Sequence, residues 1–464
     1  MLKKLVPIVV VASLLLTLLG ACAAPTPQTI TVKETVVVTQ EKVVEKQVVQ
    51  TQVVEKPVEK VVEKQVQVTV APKVPMVYNS YASDPAPRKA DEELVKMFMA
   101  KYPNVQVTQS TVAHEDFKQA IRAYLNSSQP PDVMTWFAGN RARFFIDKGQ
   151  ILDISDVWKS QGWDKSYPKG FQALSTVGGK QYFVPTSYYW WAIYYNKTVF
   201  AKYNLAPPKT WEEFLTVCET LKKNGVIPIV SGTKNAWPAA AWFDYINMRT
   251  NGPEFHINLM LGTEKYDDPR VKKAFQNWAV LLDKGYFIEN AASYDWQDVI
   301  PFMLQGKAAM YLMGQFVMDS IPKENQKDYD FFRFPIIDPK MPIGEDAPTD
   351  GYFAAANAPH KEQAKLFLAY LGSKEAQTYL AKELKRLPTN SEVDTSSVDE
   401  ASKKGMELLK GADYIAQFFD RDTTPEMAEN GMAAFQKFWT STGQIDPILV
   451  ALEKERALIF ALAK

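Results

Sequence analysis

Cysteine is nearly absent from this 464-residue chain: only Cys22 and Cys218 occur. A disulfide framework is therefore excluded. With only His114, His256 and His360, far apart in sequence, a Cys/His zinc site is not expected, and no metal or cofactor is assigned. An excess of either charge is also missing, since 53 Lys plus Arg balance 53 Asp plus Glu. A neutral chain has no bulk electrostatic reason to seek nucleic acid, so no nucleic-acid partner is expected. The one long apolar run, Leu5 to Leu19, falls short of the ~20 residues that span a bilayer as a helix. Catalytic signatures are equally scarce. Gly178-Gly179-Lys180 lacks the spacing of a phosphate loop, and no Gly-x-Ser-x-Gly elbow occurs. Ser166 to Lys169 fits Ser-x-x-Lys, a pattern with only two fixed positions. A pair of glycosidase carboxylates among 53 acids stays open on sequence grounds, but no enzyme is expected.

What is present begins with an export signal. Lys3 and Lys4 precede the apolar run, which ends in Leu19-Gly20-Ala21-Cys22. That ending resembles the bacterial lipobox, and the resemblance implies removal of residues 1–21 and acylation of Cys22. Several acyl chains on one residue would anchor the protein without a spanning helix. Residues 22–75 read as a stalk. Between Thr31 and Val70 the chain uses only Val, Lys, Glu, Gln, Thr and one Pro, with Val pairs recurring every five residues. Neither a helix nor a strand gathers a five-residue step on one face, so a solvated, semi-extended tether is expected, with self-association of the valines as the alternative.

From Met76 to Lys464 the composition is that of a globular α/β protein. Met76 to Tyr78, Val105 to Val107 and Pro131 to Met134 read as strands, alternating with helices that carry Leu94, Met97 and Phe98, then Phe117, Ile121 and Tyr124. Such alternation predicts a largely parallel sheet with both faces covered. Ligands of these sheets sit beyond the carboxyl ends of the strands, which selects Tyr81 to Asp84 and Trp136 to Asn140 as candidate loops. Thr210 with Glu213 forms a capping box for a helix with the stripe Phe214, Cys218 and Leu221, so Cys218 is a packing thiol. Asp268-Pro269 starts another helix, with Trp278 on its core face.

The central stretch carries a resemblance. It reads Phe183-Val184-Pro185, Tyr194-Tyr195-Asn196-Lys197, Val199-Phe200 and Pro208-Lys209-Thr210-Trp211-Glu212-Glu213-Phe214. Farther on come Gly306 to Met310, Gly314-Gln315-Phe316, Glu362 to Leu368 and Arg386 to Thr389. In order and spacing these motifs are similar to the extracellular solute-binding proteins of ABC importers, in the family that includes maltodextrin-binding proteins. The resemblance implies a two-lobed, type II periplasmic-binding-protein-like α/β body over 76–464. It also implies three crossings between lobes, near Pro185 to Trp191, Asp338 to Gly351 and Leu387 to Glu392. Lobe 1 would hold about 76–186 and 351–388, and lobe 2 about 187–345 and 392–464. The implied function is capture of a mono- or oligosaccharide for a membrane permease by a monomeric body tethered outside the cytoplasmic membrane. Polyols, glycerol phosphates and polyamines are the alternative solutes.

A sugar offers hydroxyls at its edge and C–H groups on its face. Aromatic rings cover the face while carboxylates and amides satisfy the edge. Tyr81, Asp84, Trp136 and Asn140 are candidates by position in the sheet. Trp242 and Asp244 are favoured for offering one ring and one carboxylate within three residues, outside any helical stripe. Family resemblance adds Tyr189 and Trp190 from the Tyr188 to Trp191 run, Gly314 with Gln315, and Gly351 with Tyr352. Asp420 is a further candidate, for which a surface salt bridge is an equal explanation. Asp132 is assigned to ordering a strand end and left out of the site.

Overall fold

Buried strands that alternate with one-sided helices organise the chain beyond its amino-terminal region. The computed structural model describes residues 29–32, 66–69 and 73–462. The signal at 1–21, Cys22 and most of the stalk lie outside the described residues. The chain divides into two units, Met1–Val74 with Pro103–Gln106, and Pro75–Tyr102 with Val107–Lys464. In the first, β1 (Thr29–Val32) and β2 (Val66–Thr69) pair antiparallel, with Thr29 opposite Thr69. These short Val/Thr-rich runs are therefore strand-paired rather than simply extended, as their β-propensity favours.

The large sheet is built from β3 (Val74–Ser80), β4 (Val105–Thr111) and β5 (Val133–Phe137). After a hairpin of β6 (Thr176–Val177) and β7 (Lys180–Gln181) comes β8 (Val184–Tyr188). Gly178 and Gly179 turn that hairpin at φ 58° and 77°, a conformation glycine adopts without strain. The small sheet uses β9 (Trp191–Asn196), β10 (Ile227–Ile229), β11 (Ala308–Gly314) and β12 (Tyr329–Phe332). Next come β13 (Gly344–Asp346), β14 (Thr349–Ala354), β15 (Leu387–Pro388) and β16 (Tyr414–Ala416).

Strand order is β15-β8-β14-β5-β3-β4 in the large sheet and β10-β11-β9-β12 in the small one; β13 and β16 pair separately. The expectation of a parallel sheet holds only in part. β3 and β5 are parallel, but β14 runs antiparallel to both β5 and β8. β14 enters after the chain has passed through β12 of the small sheet and β13, not by a helical crossover from a neighbouring large-sheet strand, which is the connection that makes strands parallel.

The chain thus leaves the large sheet after Tyr188, enters the small sheet at Trp191, and returns at Thr349. It adds β15 to the large sheet and then continues into helix Pro425–Thr440, which packs on helix Trp237–Asn251 beside the small sheet. Two of these passages are tied together: Thr389 donates its hydroxyl to the Pro185 carbonyl (2.7 Å), and the Gln377 amide oxygen accepts the Thr389 and Asn390 N–H groups.

Local rules explain most elements. β5 and β9 are buried along their whole length, as strands covered on both faces are. Thr210 and Glu213 form the reciprocal cap, and Cys218 packs unexposed on that helix. Asp268 caps its helix by accepting the Arg270 N–H, and Trp278 is core. Asp132 organises the end of β5: its carboxylate accepts Val77 N–H (2.8 Å) and His360 N–H (2.7 Å) from two other elements. Asp132→Ala removes the acceptor shared by these two half-buried donors, and should lower the free energy of unfolding by about 2 kcal/mol in urea titration. A loss under ~0.5 kcal/mol would show that those contacts are replaceable.

Candidate functional site

Residues beside both sheets line a cavity of about 540 Å³. Its wall has two different faces. Trp191, Trp237, Trp296, Phe316 and Phe418 form an aromatic face beside the small sheet. Trp191 stacks on Phe418 with ring centres 4.8 Å apart, while Trp237 and Trp296 stand 6.3 Å apart at 59°. Phe316 closes edge-on against Trp296 at 5.3 Å. The opposite face comes from the carboxyl ends of β3 and β4 and the helices that follow them, Tyr81 to Pro87, His114, Glu115 and Lys118, together with Asp350 at the amino end of the antiparallel β14.

Local sequence explains these placements. Asp84 is the N-cap of helix Pro85–Lys101, yet it makes no capping bond. Pro87, at the third helical position, lacks one of the two N–H groups a cap can engage, the Ala86 N–H is not used, and the carboxyl lines the cavity. Burial raises that carboxyl's pKa, with a hydrogen bond from Gln297 opposing (3.4 Å). A bulge between Asp350 and Gly351 breaks the register of β14 against β8 and turns Asp350 toward the cavity. Ala236 holds a left-handed φ of 60° between Asn235 and Trp237, both of which line the wall. Strain of that kind concentrates at binding sites.

Polar contacts join the two sides. Lys118 Nζ reaches Asp420 Oδ2 at 2.8 Å and Glu115 at 3.2 Å. Arg421 Nη1 reaches Asp350 Oδ1 at 2.7 Å, and Tyr81 donates its hydroxyl to the same oxygen at 2.9 Å. The Arg421 guanidinium also lies over the Phe137 ring at 4.3 Å. Asn140 donates its amide to Asp422 Oδ1 at 2.7 Å. Gly139 permits that approach, because its φ is 86° and a Cβ there would lie 2.9 Å from the same oxygen. Burial alone would raise the Asp420 carboxyl, but Lys118, Arg141 and Arg421 outweigh it and bring it down to about 2. His114, stacked on Tyr81 at 4.8 Å, is held neutral by burial and by the nearby Lys118 and Arg421 charges.

Of the residues expected from sequence, Tyr81, Asp84, Tyr189 and Asp420 line the cavity. The others do not, and each has a physical reason. Trp242 and Asp244 sit in the middle of helix Trp237–Asn251, not in a loop, and both are fully buried. Trp242 packs edge-on against Phe287 and Phe334. Asp244 accepts the Phe419 N–H at 2.9 Å, so it positions the segment carrying Asp420 and Arg421 from behind. Trp136 is fully buried in the core, stacked on Phe137 at 4.7 Å and edge-on to Phe145. Trp190 packs against Phe331 and Gly405, where a Cβ would collide with the indole. Asn140 is occupied by Asp422. Gly314 makes room for Phe316 and Trp191 but lines nothing itself. Gln315 is buried and donates to the Leu384 carbonyl. Gly351 and Tyr352 border a separate pocket of about 50 Å³. The sequence reading missed His114, Lys118, Asp295, Trp296, Asp319, Asp350, Arg386 and Arg421. Arg386 stood in a quoted motif, and Trp296 had no periodic pattern to explain it as core.

A cavity walled by rings on one side and by carboxylates, guanidinium groups and hydroxyls on the other, between two sheets that the chain connects repeatedly, is a small-molecule capture site. The sequence profile of the bacterial extracellular solute-binding proteins matches residues 81–378, and the chain belongs to that family. It has the family's two-lobed fold and its extracytoplasmic role as the solute-binding component of an ABC importer, and the family's members are not normally enzymes. Among the described residues no helix is long and apolar enough to cross a membrane.

Two curated relatives and one solved structure illustrate the likeness. An ABC transporter extracellular-binding protein of Pyrococcus horikoshii is 27% identical over 334 residues, covering 70% of this chain and 74% of that one. A probable sugar-binding periplasmic protein of Mesorhizobium japonicum is 29% identical over 279 residues, 58% of this chain and 65% of the relative. The solved bacterial solute receptor AcbH, described as preferring β-D-galactopyranose exclusively, is 31% identical. It superposes with a TM-score of 0.79 over 83% of this chain and 99% of its own.

Asp420 supplies a pH test of the contacts across the cavity. Its folded pKa is depressed, so its contribution is full above the ordinary carboxylate range and is lost as pH falls through about 2. Asp420→Asn should therefore lower unfolding free energy by about 2 kcal/mol at pH 6, with the gap to wild type closing toward pH 2. A gap independent of pH would contradict the assignment.

Proposed function

We propose that this chain captures a neutral mono- or oligosaccharide in the cavity between its two sheets and delivers it to a membrane permease. The observation that carries the reading is the opposition of the two walls. Trp237 and Trp296 offer flat faces to sugar C–H groups, and the facing carboxylates and guanidinium groups offer partners for hydroxyls. A 540 Å³ cavity lies within the ordinary range for small-molecule sites. The 31% identity to a galactose-preferring receptor supports the sugar class and makes D-galactose the first probe. Capture without turnover is part of the reading, and so are a monomeric body and lobes divided at Tyr188 to Trp191, between β12 and β14, and after β15. Hinge motion about these passages closes the cavity, and the solute favours closure through the contacts it gains there.

D-Galactose and maltose, screened by thermal shift, should include at least one compound that raises the melting temperature and is recovered unchanged. Trp237→Ala should weaken that sugar on the order of 2 kcal/mol, roughly thirtyfold, by calorimetry. Binding that survives the change intact, or cleavage of maltose, would overturn this account.

The lipobox supports a second element of the reading, in which Cys22 is acylated and residues 23–75 tether the body outside the membrane. Cys22→Ala should release the protein from the membrane fraction with its sugar affinity unchanged. A wild-type protein recovered wholly soluble and unacylated from its native host would rule the anchor out.

A further inference from the structure

Most charged groups in the cavity wall are already engaged. Arg421 is held by Asp350, Lys118 by Asp420 and Glu115, and Asp295 accepts the Asn235 amide at 2.9 Å. Two are not. Asp319 and Arg386 form no hydrogen bond or ion-pair contact through their side chains with any described residue, and Asp319 Oδ2 and Arg386 Nε are buried without a partner. Both residues are half-buried, and apart from the Arg386 guanidinium lying 5.7 Å over the Tyr189 ring they leave desolvated polar atoms without a hydrogen-bond partner, which a bound solute would satisfy.

The backbone around them is built for presentation. Arg386 follows Lys385, a non-glycine residue with φ 55°, at the end of helix Lys374–Leu384, whose last carbonyl is held by Gln315. Asp319 lies on the short turn Gln315–Ser320 that also carries Phe316 of the aromatic wall. The two side chains therefore stand beside the ring wall, arriving from different elements.

We propose that Arg386 and Asp319 are the specificity-determining pair of this cavity and that they read neighbouring hydroxyls on an uncharged sugar, an inference that rests on the sugar-binding reading above. A guanidinium only donates hydrogen bonds, and an ionised carboxylate only accepts them. A solute touching both must accept from one and donate to the other. A hydroxyl does both. A fully ionised phosphate cannot donate to Asp319, and a phosphate in either charge state would be repelled by it and by Asp84. An ammonium group cannot accept from Arg386. The pair thus selects a polyhydroxyl edge and rejects both anions and polyamines. Burial pushes the Asp319 carboxyl up to about 6, with Arg386 opposing and Asp84 adding to the shift.

The experiment uses the full chain with D-galactose, maltose, glycerol 3-phosphate and spermidine as probes, read by thermal shift and calorimetry. Wild type should be stabilised by at least one of the two sugars and by neither charged compound. Asp319→Asn and Arg386→Gln should each weaken that sugar at least about tenfold, with the sugar-free melting temperature equal to or above that of wild type. Wild-type affinity should fall as pH drops through 6, because the accepting form of Asp319 is the ionised one, and the Asp319→Asn profile should lack that step. Sugar binding that survives both substitutions would overturn the pair while leaving the sugar reading in place. Stabilisation by glycerol 3-phosphate or spermidine, or by none of the four probes, would remove the sugar reading and the pair with it.

Discussion

The short run Asp420-Arg421-Asp422 is the constraint on which the cavity depends. Its neighbours Phe418 and Phe419 are embedded in the core beside the small sheet, while its own side chains engage Lys118, Asp350 and Asn140 beside the large one. Three consecutive residues therefore tie the small-sheet side of the cavity to the large-sheet side. These pairs are largely removed from solvent, where removing one partner leaves the other charge buried and costs far more than a surface pair is worth. Asp244 fixes the run from behind through the Phe419 N–H, and Gly139 lets Asp422 approach from the other side.

Given that geometry, the chemistry of the site follows from which side chains the closure leaves free. Ion pairs use up Lys118, Arg421, Asp350 and Asp420, so these residues shape the chamber and do not discriminate among solutes. The rings of Trp191, Trp237 and Trp296 supply apolar area that any flat C–H face would cover. Discrimination falls to the few polar groups without partners, because a solute that fails to satisfy them leaves a desolvated charge behind.

How far the sequence could be read depended on periodicity. Strands, capped helices and the core roles of Cys218 and Trp278 were legible because each lay on a stripe or beside a cap. Trp242 and Asp244 were misread for the opposite reason: helix Trp237–Asn251 is buried on nearly every side, so it shows no amphipathic stripe and looks like a loop. Trp136 failed on a different point: it lies on β5, a strand buried along its whole length, so a place near the strand's end did not bring its ring to the cavity. Asp350, Arg386 and Arg421 were illegible because a bulge, a strained helix end and contacts across 71 or more residues place them. The position of the site at the strand ends was readable; its charged members were set by long-range closure.

Amide hydrogen exchange on the full chain, with and without saturating amounts of a stabilising sugar, tests the central claim most directly. If the cavity between the sheets is the capture site, protection should appear together in residues 81–87, 294–297, 315–320 and 417–422, which come from both sides of it. Protection confined to one side, or located away from these segments, would contradict the account.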